Sequence, residues 1–407
     1  MSEITSIQLP TPIEWESKEG EAERHIDYLD EIFEKHHDIR LLYTNALAEV
    51  YPERFMNGRE TSAAFWSPYL TKDKQLTGFF KEWLNFTPAP AAPGLYIEYW
   101  DYLVNTRSGL LLANHDVFKP WFREFLNFHG DWINSTSSTG TLKEWAADKG
   151  TGAHPFKITD YVVPEGGFKS FNQFFLRNLK GGERPMCPAK SADDVIVAPC
   201  DGGVFYLDRG NTGIPANDYD LPGKSDRFDL EDALPGYGKV FEGGPLLDIL
   251  LWFTDYHHFH APVSGKVIHQ GLYRGSYNYD FGDFDPNDFY APQRPSDSDK
   301  VGWYEKLGKH QRYVWIIKTE SFGLVAMVAI GFWGVGSIIN HIEEGATIER
   351  GQYMGHFGYG GSSIVLAFEP GLDIKFQVGK DPVQGPDYPT LMKVRECLGK
   401  LIRPFSW

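Results

Sequence analysis

Three short stretches of the chain hold residues whose types and spacing could do chemistry. The first is Gly355-His356-Phe357-Gly358-Tyr359-Gly360-Gly361-Ser362-Ser363, running straight into the apolar segment Ile364 to Phe368. A glycine-rich corner entering a strongly β-forming run can place backbone in conformations that a Cβ resists and hold it there, so chemistry on the backbone itself becomes accessible. A glycine hairpin or bulge before a buried strand is the structural alternative. The second stretch, Asp255-Tyr256-His257-His258-Phe259-His260-Ala261-Pro262, packs three histidines into four positions. If it is extended, side-chain alternation puts His258 and His260 on one face and His257 with Phe259 on the other. At most two imidazoles converge directly, and no third ligand with zinc-like spacing lies nearby, so no metal site is expected. The third stretch, Ala198-Pro199-Cys200-Asp201-Gly202-Gly203, sets one carboxylate at a tight turn, which an ordinary turn aspartate would also explain.

The elements that must position these residues belong to a chain of 407 residues with 42% hydrophobic and 15% aromatic content, enough for one large or two medium domains. A formal charge of -16 argues against a phosphate-tracking nucleic-acid surface and against electrostatic adhesion to anionic lipid, which favours a small-molecule partner. Cys187, Cys200 and Cys397 are too few and too scattered for a disulfide framework or a cysteine-based zinc site, and a reducing cytosol fits them. The N-terminus lacks a basic segment followed by an apolar core, and no apolar run approaches the roughly 20 residues that span a bilayer. A soluble, cytoplasmic protein without a membrane anchor is expected.

Residues 1–150 read as a helical N-terminal domain without a catalytic cluster of its own. Its apolar residues recur at three-and-four spacing, with breaks at TPAPAAPG and at Ser108-Gly109. Residues 168–185 read as a short helix closed by Gly181-Gly182. Beyond it, apolar runs become short and β-like, among them VIVAP, GGVFYL, LLDILLWF, GKVIHQGLYR, YVWIIKTE and SSIVLAFEP. The fold class is therefore α+β, with residues 151–407 forming a β-rich sandwich or barrel-like domain. Two phrases inside it, 260–267 and 344–352, echo one another and resemble the strand-turn-strand units of biotinyl and lipoyl carriers, though neither offers the exposed lysine that such carriers modify. The acidic, aromatic stretch 277–300 reads as a solvated lid in preference to a cation site, because its aspartates lack EF-hand spacing.

Taken together these segments resemble the phosphatidylserine decarboxylase family of pyruvoyl enzymes. The resemblance rests on five motifs in the family's order: Phe171-Asn172-Gln173-Phe174-Phe175-Leu176-Arg177, Pro199-Cys200-Asp201-Gly202, Tyr256 through Pro262, Val335-Gly336-Ser337-Ile338 and Gly360-Gly361-Ser362-Ser363. The N-terminal part, with Asn105-Thr106-Arg107-Ser108-Gly109, resembles the extra domain of a soluble branch that includes fungal tryptophan decarboxylases. This resemblance implies a proenzyme cut between Gly361 and Ser362, the serine attacking the preceding carbonyl and ending as an N-terminal pyruvoyl group. By the same resemblance Ser362, His260 and Asp201 form a nucleophile-base-carboxylate triad for that cut. The pyruvoyl ketone then takes the electron-sink task that pyridoxal phosphate performs elsewhere, so no pyridoxal phosphate is needed, and His257 supplies the proton after carbon dioxide leaves.

Three positions depart from the family pattern. Cys200 replaces an alanine, His258 stands where arginine is common, and Ser363 puts a second hydroxyl beside the scissile bond; Ser362 is kept as nucleophile because it directly follows the last glycine. The resulting expectation is a decarboxylase of a free amino acid, an aromatic one such as tryptophan being one option, whose cleaved chains stay associated, with homo-oligomerisation left open. The alternatives are decarboxylation of phosphatidylserine, a non-catalytic β-sandwich binding relative, and a serine hydrolase, which lacks support because G-x-S-x-G is absent.

Overall fold

A computed structural model of the protein describes residues 6–50, 65–70, 76–104, 106–148, 156–188, 194–208, 210, 230–273, 310–332, 337–378 and 390–402. The 277–300 stretch, Asn105, Val335 and Gly336 lie outside the described residues.

The N-terminal part is helical: α1 Glu19–Lys35, α2 His37–Glu49, α3 Leu76–Leu84, α4 Leu95–Val104, α5 Arg107–Asn114, α6 Phe118–Ile133 and α7 Leu142–Ala147. Helix α6 shows why: Phe118, Trp121, Phe122, Phe125, His129 and Ile133 recur at three-and-four spacing and are all buried, so one face is committed to a core. The break before α5 falls at Thr106, not at Ser108-Gly109 as the sequence suggests. Thr106 caps the helix, its hydroxyl accepting from the Gly109 N–H at 2.9 Å. The expected helix over 168–185 shrinks to α8, Phe171–Phe175, capped by Ser170. It stops there because the Arg177 side chain is fully buried and turns back to donate to the Phe174 carbonyl at 3.1 Å.

The remainder is antiparallel β-structure. The strands are β1 Val195–Val197, β2 Gly202–Asp208, β3 Leu246–Leu251, β4 His258–His260, β5 Gly265–Tyr273, β6 Gln311–Lys318 and β7 Leu324–Phe332. They continue with β8 Ile338–Asn340, β9 Thr347–Ile348, β10 Tyr353–Phe357, β11 Gly361–Phe368, β12 Ile374–Phe376, β13 Thr390–Met392 and β14 Cys397–Leu401. Eight of them form one sheet in the order β13-β2-β3-β11-β7-β6-β5-β9, flanked by two three-stranded sheets, β1-β14-β12 and β4-β10-β8. The chain is therefore α+β. The two echoing phrases lie against each other: Gly265 pairs with Ile348, and the Ala261 N–H donates to the Gln352 carbonyl at 2.8 Å.

Strand β11 is buried along its whole length and divides two cores by its alternation. Ile364, Leu366 and Phe368 face a core shared with β4 and β10, while Val365 and Ala367 face a second one under two short helical turns, α9 Leu230–Ala233 and α10 Gly238–Phe241. A third core, formed by the N-terminal helices and α8, reaches Phe253, Tyr256 and Tyr359, so the helical layer closes directly on the segments that carry the histidines and the glycine corner.

The structure corrects one reading of the cysteines. Cys187 and Cys397, 210 residues apart in sequence, form a disulfide, with their Cα atoms 5.0 Å apart. Scatter along the chain hid this, because β14 returns to pair with β1 and brings Cys397 beside Val197.

Candidate active site

Ser362 is the second residue of β11, placed between Leu251 of β3 and Gly331 of β7. The corner before it needs its glycine: Gly360 has φ 147, which a residue with a side chain rarely adopts. Ser337 pins the same corner, its carbonyl accepting from the Gly358 N–H at 2.7 Å. A side chain at the start of a central strand is held rigidly, since ladders on both sides fix its backbone.

The imidazole that faces Ser362 is that of His257. Its Nδ1 lies 3.0 Å from Ser362 Oγ and its Nε2 2.9 Å from the Trp252 carbonyl oxygen. A carbonyl only accepts, so Nε2 carries the proton and Nδ1 presents its lone pair to the serine hydroxyl. Burial pushes the His257 pKa down to about 3, which keeps the ring neutral near pH 7. Phe175 stacks on it at 3.9 Å between centroids. Arg177 fixes the approach to His257 by donating to the Thr254 and Asp255 carbonyls at 2.5 and 3.0 Å while its guanidinium lies over Tyr161 at 4.3 Å. The Phe171–Arg177 motif is thus a support for the histidine segment.

His260 and Asp201 are buried nearby, but the hydrogen bonds do not link them to Ser362 as the expected triad requires. His260 Nδ1 meets the Gly351 carbonyl at 3.0 Å, so that nitrogen carries the proton; among the described residues its Nε2 has no hydrogen-bond partner. Burial lowers its pKa to about 4. Asp201 instead binds Arg184 at 3.0 Å and Lys393 at 3.2 Å and accepts from the Val394 N–H at 2.8 Å. Burial pushes its carboxyl up, and the two cations beside it outweigh that and hold it below the ordinary carboxylate range. A Cβ at Gly202, the residue after it, would sit 2.5 Å from the Leu250 carbonyl oxygen, so this turn can be tight only with glycine. The Asp201 turn still touches the histidine strand, because the His260 N–H donates to the Pro199 carbonyl at 2.7 Å. His258 shares the His260 face, as alternation predicts, and meets the Leu176 carbonyl at 3.1 Å. Cys200 is buried, and burial raises its thiol well above the usual value, so it is no thiolate nucleophile. Among the described residues no group of three or more metal-ligating side chains is placed to hold an ion.

Asp248, to which the sequence alone assigns no role, stands out. Ser363 points away from Ser362, across the sheet, and donates to buried Asp248 of β3. Burial pushes the Asp248 carboxyl up to about 7, and the Ser363 bond only partly offsets this. Its sequence signal was a single carboxylate inside the apolar run LLDILLWF.

Fold and site define an α+β protein built around a buried serine-histidine pair at the start of a central strand. The family model for phosphatidylserine decarboxylase matches residues 171–387, over half of the chain and including Asp201, Asp248, His257, His260, Ser362 and Ser363. The chain belongs to the phosphatidylserine decarboxylase family. It is 30% identical over 254 residues to phosphatidylserine decarboxylase proenzyme 3 of Schizosaccharomyces pombe, a match covering 61% of this chain and 24% of that one. It is 28% identical over 276 residues to the phosphatidylserine decarboxylase proenzyme of Fusobacterium nucleatum, covering 67% and 81% respectively. A Chlamydia trachomatis proenzyme of the same name is 29% identical over 216 residues, covering 52% and 64%. The match thus spans about a quarter of the yeast relative and about two thirds of the chlamydial one.

Proposed function

We propose that the chain is a proenzyme that cuts itself between Gly361 and Ser362 and, as a pyruvoyl-dependent decarboxylase, acts on an α-amino carboxylate, the serine headgroup of a phospholipid. The observation that carries this reading is the contact of Ser362 Oγ with the unprotonated Nδ1 of a neutral, buried imidazole. His257 takes the hydroxyl proton as Ser362 Oγ attacks the Gly361 carbonyl carbon; the C–O bond forms, the C–N bond breaks, and the same imidazole returns the proton to the departing nitrogen. Elimination then frees the Gly361 carboxylate, and hydrolysis of the resulting dehydroalanine releases ammonia. The site fits the pyruvoyl group, since position 362 is buried and fixed by β3 and β7. When present, that group supplies an electron sink for the loss of carbon dioxide.

His257 then stands beside the reacting centre, where its Nδ1 relays a proton taken from water to the carbon that loses the carboxylate. Asp201, held by Arg184, Lys393 and Val394, acts as a clamp between residues on either side of the cut. His260, whose Nε2 lone pair is uncommitted among the described residues, is the second candidate base for maturation. The relatives' name favours the phospholipid headgroup over the free amino acid expected from the sequence, and nothing in those names supports the tryptophan-decarboxylase branch. "Proenzyme" in the same names supports cleaved chains that remain together. Among the described residues no helix is long and apolar enough to cross a membrane.

Intact mass under reducing, denaturing conditions tests the maturation. A C-terminal piece of 46 residues (407 − 361) with a ketone at its N-terminus is expected, and a single uncut mass overturns the reading. Carbon dioxide release from phosphatidylserine vesicles, compared with release from free amino acids including tryptophan, tests the substrate. Faster turnover of a free amino acid would reassign it.

A further inference from the structure

The Cys187–Cys397 disulfide spans the proposed cut: Cys187 precedes Ser362 in sequence and Cys397 follows it. We propose that maturation yields two chains joined covalently through Cys187–Cys397, so that the 46-residue piece (407 − 361) carrying the reactive group cannot leave. This inference rests on self-cleavage at Gly361–Ser362.

The surroundings are built for the link. Cys187 is buried, its N–H donates to the Arg395 carbonyl at 2.9 Å, and its carbonyl accepts from Arg350 at 3.3 Å. Val195 and Val197 of β1 pack on the sulfur pair, and Cys397 lies at the start of β14 in register with Val197. The pairing therefore connects a segment of the long chain to a strand of the short chain that is already seated beside it. Other links across the cut are non-covalent: β11 sits between β3 and β7, β13 beside β2, and Lys393 bridges Asp201 at 3.2 Å and Asp255 at 3.7 Å.

A tether changes what happens when these weaker links open. With the cystine intact, the short chain returns to its place in an intramolecular step, whatever the protein concentration; without it, return is bimolecular. A dithiol reductant would convert the cystine to two thiols, delivering two electrons and two protons and itself closing to a cyclic disulfide.

The test uses the full matured protein, alkylated before denaturation to block exchange, on denaturing gels with and without a dithiol. One species without reductant and two with it is the expected result. Two species in both lanes, or alkylation of all three cysteines, overturns the tether while leaving the cleavage standing. One species in both lanes means the chain is uncut, and the tether falls together with the proposed maturation. Recovery after dilution from denaturant supplies the functional readout: its rate should be independent of protein concentration for the oxidised protein. For the reduced protein or Cys397→Ser it should fall about tenfold on tenfold dilution. Equal concentration dependence in both would refute the role.

Discussion

Asp248→Asn should reverse part of the protein's pH dependence of stability. In the folded chain the Asp248 carboxyl is pushed from 3.8 to about 7 by complete burial, against which the Ser363 hydroxyl supplies a single hydrogen bond. A carboxyl whose folded midpoint is raised contributes stability that is fully present below the unfolded value and lost as pH rises through the folded one. Its window therefore runs from about 4 to about 7, and at 1.36 kcal/mol per decade the loss across it is roughly 4 kcal/mol. Asparagine keeps an oxygen for Ser363 and has no charge to bury. It places an amide where Oδ2 has no hydrogen-bond partner among the described residues, at a pH-independent cost of about 1–3 kcal/mol. The variant should be less stable than the parent near pH 4, and the gap should close or invert by pH 8. Denaturant titrations at several pH values, in a Ser362→Ala background that keeps both proteins in one chain, measure the difference. His257 and His260, lowered to about 3 and 4 by burial, lose stability as pH falls below 6.5, but they do so in both proteins and cancel. Parallel stability curves between pH 4 and 8 would show that Asp248 does not titrate as its burial requires, and the reasoning would fail.

Ser362→Ala should leave one uncut chain without carbonyl reactivity, as intact mass under reduction would show; a cut variant would move the nucleophile to Ser363. His257→Ala should slow maturation by about 10²–10⁴-fold, the usual scale for losing a positioned base, in a time course of chain cleavage. His260→Ala is expected to slow it less, and the opposite order would restore His260 as the base. Gly355→Ala should disrupt the corner strongly, because its Cβ would lie 2.1 Å from the Ile339 carbonyl oxygen and 2.6 Å from the Phe259 ring; an unchanged melting temperature would contradict that packing.

What could be read from the sequence was whatever depends on neighbours a few residues away. The alternation of His257, His258, Phe259 and His260 follows from strand geometry, and Phe259 does enter the β-core while His258 and His260 share Tyr353 as a ring partner. The glycine corner before β11 and the tight turn at Asp201 were legible for the same local reason. The hydrogen bonds of the site were not, because they depend on which distant carbonyl meets which ring nitrogen. Trp252 offers its oxygen to His257 Nε2 and turns Nδ1 toward Ser362, whereas the Gly351 carbonyl, 91 residues from His260, accepts the hydrogen bond from His260 Nδ1–H. Asp248 sits in the sequence as part of an apolar strand, because alternation assigns a face without saying what lies across the sheet, and what lies there is Ser363, 115 residues on. The disulfide was invisible for a related reason: a separation of 210 residues is closed only by the return of β14 to β1. In each case local pattern fixed the direction of a side chain, and strand pairing between distant segments decided its partner.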